Sequence, residues 1–333
     1  MKVLITGGAG YIGTVLVGEL LKKKFEVRVF DNLLFGDNSL QLFRKNIEVI
    51  KGDIRSISNE VLRGIDAVIH QAGLSNDPMA DFDPKANYEI NTLGTIHLAK
   101  LCKKSGIKQF TFASSASIYN KSLLYDDILQ DENSKVVPKA AYSSSKYKAE
   151  QELLKLADRN FCPIIFRQGT VYGFSPRMRY DLVVNTMVKT ALSEGKIYLF
   201  CGGVQWRPLI DVQDVALAHI RALELPEQKV CGEIFNLLYK NYLIKDVAEI
   251  VKREIEGIIK KRIDIVVDYA SRKDRSYKIS GNKIKKKLNW SPKKTIKASI
   301  QNMILKIKKY GFTDFSNLQY YNIEWLKKHK TLI

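Results

Sequence analysis

Eight residues near the N-terminus, Thr6-Gly7-Gly8-Ala9-Gly10-Tyr11-Ile12-Gly13, leave this chain few folds to choose from. They follow an apolar strand pattern at Lys2–Thr6 and open a helical one. Gly8, Gly10 and Gly13 satisfy G-x-G-x-x-G, a spacing that is weak alone and strong between a strand and a helix. Glycine permits the tight turn and lets the backbone approach a pyrophosphate. The helix start then presents unpaired N–H groups and a partial positive charge to that anion.

The second strand pattern ends in Val27-Arg28-Val29-Phe30-Asp31. An acid roughly 20 residues beyond the glycine loop can accept hydrogen bonds from the adenosine ribose hydroxyls. It also repels a 2′-phosphate, so NAD is favoured over NADP. The following Asn32-Leu33 brings no arginine to reverse that preference. The competing reading makes Asp31 only the cap of the next turn.

Strand patterns at Lys2–Thr6, Glu26–Asp31, Ile47–Lys51, Asp66–Gln71, Gln109–Ala113 and Pro163–Arg167 alternate with helical ones beginning near Gly10, Asn91 and Ser143. This alternation predicts βαβ units and a parallel sheet covered on both faces, hence a doubly wound α/β fold. After Gly173 the pattern loosens, and helical stretches return at Tyr180–Glu194, Val212–Leu223, Lys245–Glu256 and Thr295–Lys309. We expect a dinucleotide-binding domain over 1–172, rejoined by a segment near 208–225, and a smaller substrate lobe over 173–333.

Composition narrows the class. The chain carries 54 Lys and Arg against 35 Asp and Glu, a net charge of +19. The lysines are scattered, densest after residue 250, and no nucleic-acid motif accompanies them. They read as a solvated surface that also attracts an anionic substrate. Cys102, Cys162, Cys201 and Cys231 show no Cys-x-x-Cys, so neither a disulfide framework nor a metal site is expected. The first apolar run is too short for a signal peptide, and no stretch reaches the ~18 apolar residues of a membrane span. A cytoplasmic enzyme is the expectation.

Tyr142-Ser143-Ser144-Ser145-Lys146 puts a tyrosine and a lysine on one helix face. An ammonium there would favour phenolate over a phenol that ordinarily titrates near about 10. Tyr-x-x-x-Lys is common by chance, and by itself reads as an exposed helix pair. Upstream, however, Phe112-Ala113-Ser114-Ser115-Ala116-Ser117 ends a strand pattern, and the carboxyl ends of parallel strands face the ligand crevice.

With these motifs the chain resembles the extended short-chain dehydrogenase/reductase family, the nucleotide-sugar epimerases and dehydratases. Further matches are Gly52-Asp53-Ile54, His70-Gln71-Ala72-Gly73, Asn91, Val171-Tyr172-Gly173 and Leu288-Asn289-Trp290-Ser291-Pro292. The resemblance implies that Tyr142 is the acid/base, Lys146 its partner and Ser115 the catalytic hydroxyl. It implies that Gly7, Gly10, Tyr11, Ile12, Gly13, Asp31, Asn32, Asp53, Ile54, Ala72, Gly73 and Asn91, with Tyr142 and Lys146, hold NAD. It further implies a nucleotide-sugar substrate held by Ser75, Ser117, Thr170, Arg179, Arg207 and Arg275. The guanidinium fork of Arg207 and Arg275 suits a pyrophosphate, although either residue could be a surface ion pair. A homodimer is implied as well, joined through the helices after Asn91 and around Tyr142, with Leu93, Ile96, Leu98, Leu101, Leu153, Leu154 and Leu156 as candidate apolar faces.

The residues after Ser115 bear on the reaction. In the 4,6-dehydratases an acid pair follows the Ser/Thr, because elimination needs carboxyls to move protons. Here Ala116-Ser117 supplies none, so elimination is disfavoured unless another segment brings the acid. Epimerisation at C4 through a transient 4-keto sugar is the expected reaction. The alternatives are a single reduction of a keto-sugar and a non-catalytic NAD sensor, which would have no need of the Ser115/Tyr142/Lys146 set. Two departures from the family stand out. Thr170 replaces the usual Asn before Val171-Tyr172-Gly173, and Pro176-Arg177-Met178-Arg179 is unusually basic. The sugar is therefore expected to be an uncommon one, made for a surface glycan.

Overall fold

Seven short strands assemble in parallel: β1 (Lys2–Thr6), β2 (Glu26–Asp31), β3 (Ile47–Lys51), β4 (Ala67–His70), β5 (Gln109–Ser115), β6 (Cys162–Gln168) and β7 (Ile234–Leu237). Their order across the sheet is β7-β6-β5-β4-β1-β2-β3. The computed structural model describes residues 1–119, 128–270 and 275–329. Every residue of β4 and β6 is buried, as expected of strands covered on both faces. The covering helices are α1 (Tyr11–Lys22), α2 (Thr95–Lys104) and α3 (Ala141–Leu156). The winding direction reverses between β1 and β4, which opens a crevice at their carboxyl ends. This is the doubly wound α/β fold expected from the alternation of patterns.

A second core gathers Tyr172, Met178 and Tyr180 with α4 (Val183–Glu194), α6 (Ile244–Ile259) and α7 (Ile296–Tyr310). Between α4 and α6 in the chain, α5 (Val212–Leu223) returns to the sheet, where Ala216, Ile220 and Leu223 pack with Leu16, Val17 and Leu20 of α1. A three-stranded sheet of Thr170–Tyr172, Trp206–Asp211 and Lys240–Leu243 lies beside the crevice.

Three elements differ from the sequence reading. The sheet does not end with Pro163–Arg167: β7 adds a seventh strand, too short for periodicity to reveal. The helix expected from Asn91 starts earlier, at Pro84, where Asp83 caps it by accepting from the Ala86 N–H at 2.8 Å. A π-turn over Glu89–Gly94 then feeds α2. Tyr180 does not begin a helix but enters the second core, its hydroxyl donating to Phe312 O at 2.7 Å. The expected dimer faces also need correction. Leu98 and Leu153 are fully buried inside the protomer, because they face the sheet; Leu93 and Tyr88 are the exposed apolar residues of that region. Among the described residues no helix is long and apolar enough to cross a membrane.

The C-terminal segment folds back onto the body. Phe315 and Tyr320 set their ring edges against Tyr180, at 5.1 and 5.3 Å between centroids. The last helix, α8 (Asn322–Lys328), buries Leu326 completely, and the Trp325 indole donates to Leu34 O at 2.7 Å. Leu326→Ala should therefore lower the unfolding free energy by about 2–5 kcal/mol. Denaturant melts will read this; an unchanged midpoint would mean that the helix adds nothing to the fold.

Candidate active site

The phosphate loop has the form that a dinucleotide requires. A Cβ on Gly13 would lie 2.1 Å from Gly7 O, so only glycine lets α1 start this close to the turn. Gly10 occupies the N-cap without a side-chain cap, and the first turn of α1 carries no acid. Its N–H groups are thus left to an external anion. The loop lines a cavity of about 300 Å³. A second cavity of about 110 Å³ adjoins it and shares Gly10, Phe35, Gly73, Leu74 and Met79.

Asp31, Asn32, Asp53, Ile54 and Ala72 all line the smaller cavity. Asp31 accepts from the Ala9 N–H at 2.9 Å and the Leu33 N–H at 2.8 Å, so it caps the turn and faces the cavity as well. Burial raises its carboxyl above the usual range, opposed by these two N–H groups. Asp53 pairs with Arg55 at 2.6 Å, which holds its carboxyl below the usual range against burial. The donors, the acid and the glycine cradle all fit NAD.

Gly7, Gly10, Tyr11, Ile12, Gly13 and Gly73 line the larger cavity, and so do Ser115, Ser117, Tyr142 and Lys146. Burial pushes the Tyr142 phenol up to about 12, opposed first by a hydrogen bond with Ser115. The Ser115 hydroxyl also lies 2.9 Å from that of Ser117. Lys146 donates to Ala113 O at 2.9 Å, and burial pushes its ammonium down to about 8 while Glu150 opposes. Its ammonium is thereby tethered to β5; Asp77 and Tyr277 push the Tyr142 phenol up as burial does, and Arg179 opposes them after Ser115.

Beneath the site Glu150 and Arg167 form an ion pair at 2.8 Å, with side chains 0 % and 3 % exposed. Burial pushes the Arg167 guanidinium down, and Glu150 more than reverses this. Ser114 donates to the same carboxylate, and Arg167 donates to the Tyr119 hydroxyl at 2.9 Å. One pair thus joins α3, β5 and β6.

Of the expected substrate residues, Ser75, Ser117, Thr170, Arg179 and Arg275 line the larger cavity. The Ser75 hydroxyl is held by Arg179 at 3.0 Å, and Arg179 pairs with Asp181 at 2.9 Å. Arg275 pairs with Asp77, leaving its Nη1 and the Asp77 Oδ1 buried without partners. Arg207 does not line the cavity. It lies over the Tyr277 ring, itself a cavity residue, at 5.6 Å and donates to Trp206 O at 3.0 Å. Asn91 is not a cavity residue either. It is fully buried, accepts from the Leu74 N–H at 2.8 Å and donates to Leu74 O at 3.0 Å, so it fixes the Gly73–Leu74 backbone. Sequence reasoning missed Phe35, Asp77, Arg177 and Asn322 as cavity residues. Only Arg177 carried a signal, as part of the basic run.

Fold and site together define a dinucleotide-binding α/β protein with a Ser/Tyr/Lys set lining its crevice. Residues 3–237 match the NAD dependent epimerase/dehydratase family, and the chain belongs to it, with NAD as its cofactor. A UDP-glucose 4-epimerase of Cyamopsis tetragonoloba is 31% identical over 329 residues, covering 87% of this chain and 90% of that one. A dTDP-glucose 4,6-dehydratase of Bacillus anthracis, solved with NAD, superposes with a TM-score of 0.76 at 26% identity, covering 97% and 99%. A UDP-glucuronic acid 4-epimerase of Bacillus cereus, solved with UDP-glucuronic acid and NAD, gives 0.79 at 24% identity, covering 93% and 100%; that likeness carries the fold.

Asp31→Ala should weaken NAD binding and narrow its advantage over NADP, measured by titrating both nucleotides. Wild-type protein that binds NADP as tightly as NAD would contradict the role of Asp31.

Proposed function

We propose that this enzyme epimerises a nucleotide-activated sugar at C4 through a transient 4-keto intermediate. The observation that carries the reading is the convergence of Ser115, Tyr142 and Lys146 on one cavity, with no carboxyl following Ser115. Asp77, which lines the same cavity, is paired with Arg275 through one of its oxygens. The relatedness to a UDP-glucose 4-epimerase supports the same choice.

In this reading Tyr142 takes the C4 hydroxyl proton, and Ser115 holds the same oxygen. NAD held beside these residues would supply the hydride acceptor for C4 and, after the 4-keto sugar has turned over, the donor to its opposite face. Lys146, fixed by Ala113 O, holds the nicotinamide ribose and keeps a positive charge below the phenol. Arg275 offers its unpartnered Nη1 to the substrate pyrophosphate, and Thr170 and Arg179 face the sugar end. We place NAD on 1–172 with α5, and most substrate contacts on 173–333. A homodimer through the helices that carry Leu93 and Tyr142 belongs to the same reading.

A panel of UDP-, GDP-, CDP- and dTDP-sugars, followed by NMR, should yield a C4 epimer without net NADH turnover. Stoichiometric NADH consumption would establish a ketoreductase instead. Tyr142→Phe should cut turnover by about 10²–10⁴-fold, and Ser115→Ala should cut it less. Lys146→Ala should also slow turnover and move the rising alkaline limb of the pH–rate profile upward, since the phenolate loses a nearby positive charge. Retention of more than about a tenth of turnover by Tyr142→Phe would overturn the acid/base assignment.

A further inference from the structure

Arg177 is a buried cation that the chemistry above does not use. Its guanidinium lies 4.0 Å from the centroid of the Phe35 ring, and it lines the same cavity as Gly10, Tyr11 and Gly13. Among the described residues its guanidinium donates to neutral acceptors, Met178 O at 3.3 Å and Asn322 Oδ1 at 2.7 Å. Among the described residues no carboxylate lies within ion-pair distance; Asp31 and Asp181 act on it only through space. A buried charge of this kind is costly without a counter-ion.

Its position is fixed relative to the phosphate loop. The Tyr11 hydroxyl donates to Gly173 O at 2.7 Å. The Ser175 hydroxyl donates to Tyr11 O at 2.6 Å and lies 2.9 Å from that of Thr14. Ser175 Oγ also accepts from the Arg177 N–H at 3.2 Å. The segment leading to Arg177 is thus sewn to the first turn of α1. The guanidinium lines the same cavity as the uncapped helix start and feels Asp31 through space; a dinucleotide sets its pyrophosphate at such a helix start. A guanidinium fork matches phosphate oxygens.

Asn322 belongs to the C-terminal helix, beyond the part of the chain that matches the family. Besides accepting from Arg177, it donates to Ser75 Oγ at 3.1 Å, and its N–H reaches Asp181 Oδ2 at 3.2 Å. Trp325 of the same helix contacts Phe35, at 6.4 Å between ring centroids, and bonds to Leu34 O. The helix therefore covers the loop that follows Asp31.

We propose that Arg177 binds the NAD pyrophosphate, and that α8 acts as a latch which holds Arg177 and the Leu34–Phe35 loop over the cofactor. This rests on NAD occupying the crevice and is independent of which sugar reaction follows. Arg177 touches the cofactor, whereas Asn322 is a positioning residue that acts through Arg177.

The test uses the full chain stripped of nucleotide and titrated calorimetrically with NAD, together with stopped-flow release of bound NAD. Arg177→Gln should lower NAD affinity at least about tenfold, and Arg177→Lys should recover part of the loss. Without NAD, Arg177→Gln should melt no lower than wild type, because an uncompensated buried charge is gone. Asn322→Ala should speed NAD release, and adding it to Arg177→Gln should change little, because the two work as one unit. Wild-type NAD affinity in Arg177→Gln would overturn the assignment of Arg177. Additive effects in the double variant would overturn the latch. Neither outcome bears on C4 epimerisation, which is read from sugar products.

Discussion

The buried ion pair between Glu150 and Arg167 sets the geometry on which the site depends. Glu150 lies one turn beyond Lys146 on α3, and Arg167 lies on β6, close to the crevice. Their pairing, with Ser114 on the same carboxylate, fixes the helix that carries Tyr142 and Lys146 against the strand that carries Ser115. Removing either partner would strand a charge in the interior, at a cost of about 3–5 kcal/mol. The pair also has a local electrical effect, since Glu150 opposes the loss of the Lys146 proton that burial favours.

The crevice above this pair is buried and biased towards positive charge. Arg177, Arg179 and Arg275 line it, and both the nucleotide of NAD and a nucleotide sugar are anionic. Arg179 and Arg275 have their own carboxylates, Asp181 and Asp77, whereas Arg177 has none within ion-pair distance among the described residues. Arg177 is also the arginine sewn to α1 through Ser175. Tyr142 stays a neutral phenol at ordinary pH in this setting, because burial outweighs Ser115 and Arg179. A positive nicotinamide beside it would shift that balance towards phenolate.

Much of this was legible in the sequence for a physical reason. The glycine loop and the acid after β2 are local devices, fixed by turn geometry and strand length, so Gly13 and Asp31 could be placed from spacing alone. Tyr142 and Lys146 share a helix face by their separation. What spacing could not reveal is contact across the fold. Asn322 meets Arg177 across 145 residues. Arg207 was expected at the substrate; it lies over the ring of Tyr277, a cavity residue, a contact that motif position does not reveal. Asn91 matched a cofactor position; it is fully buried and bonds both the N–H and the carbonyl of Leu74, a contact across 17 residues. The strand β7 and the cap at Asp83 escaped for a simpler reason: short elements carry too little pattern.

In the proposed C4 epimerisation, one hydride leaves C4 and returns to C4 inside a single site. This is tested most directly with a nucleotide sugar deuterated at C4, once the panel has identified the sugar. The account predicts that the epimer keeps its deuterium at C4, with no exchange into solvent and no accumulated NADH. Loss of the deuterium to water, or its appearance on free NADH, would contradict it.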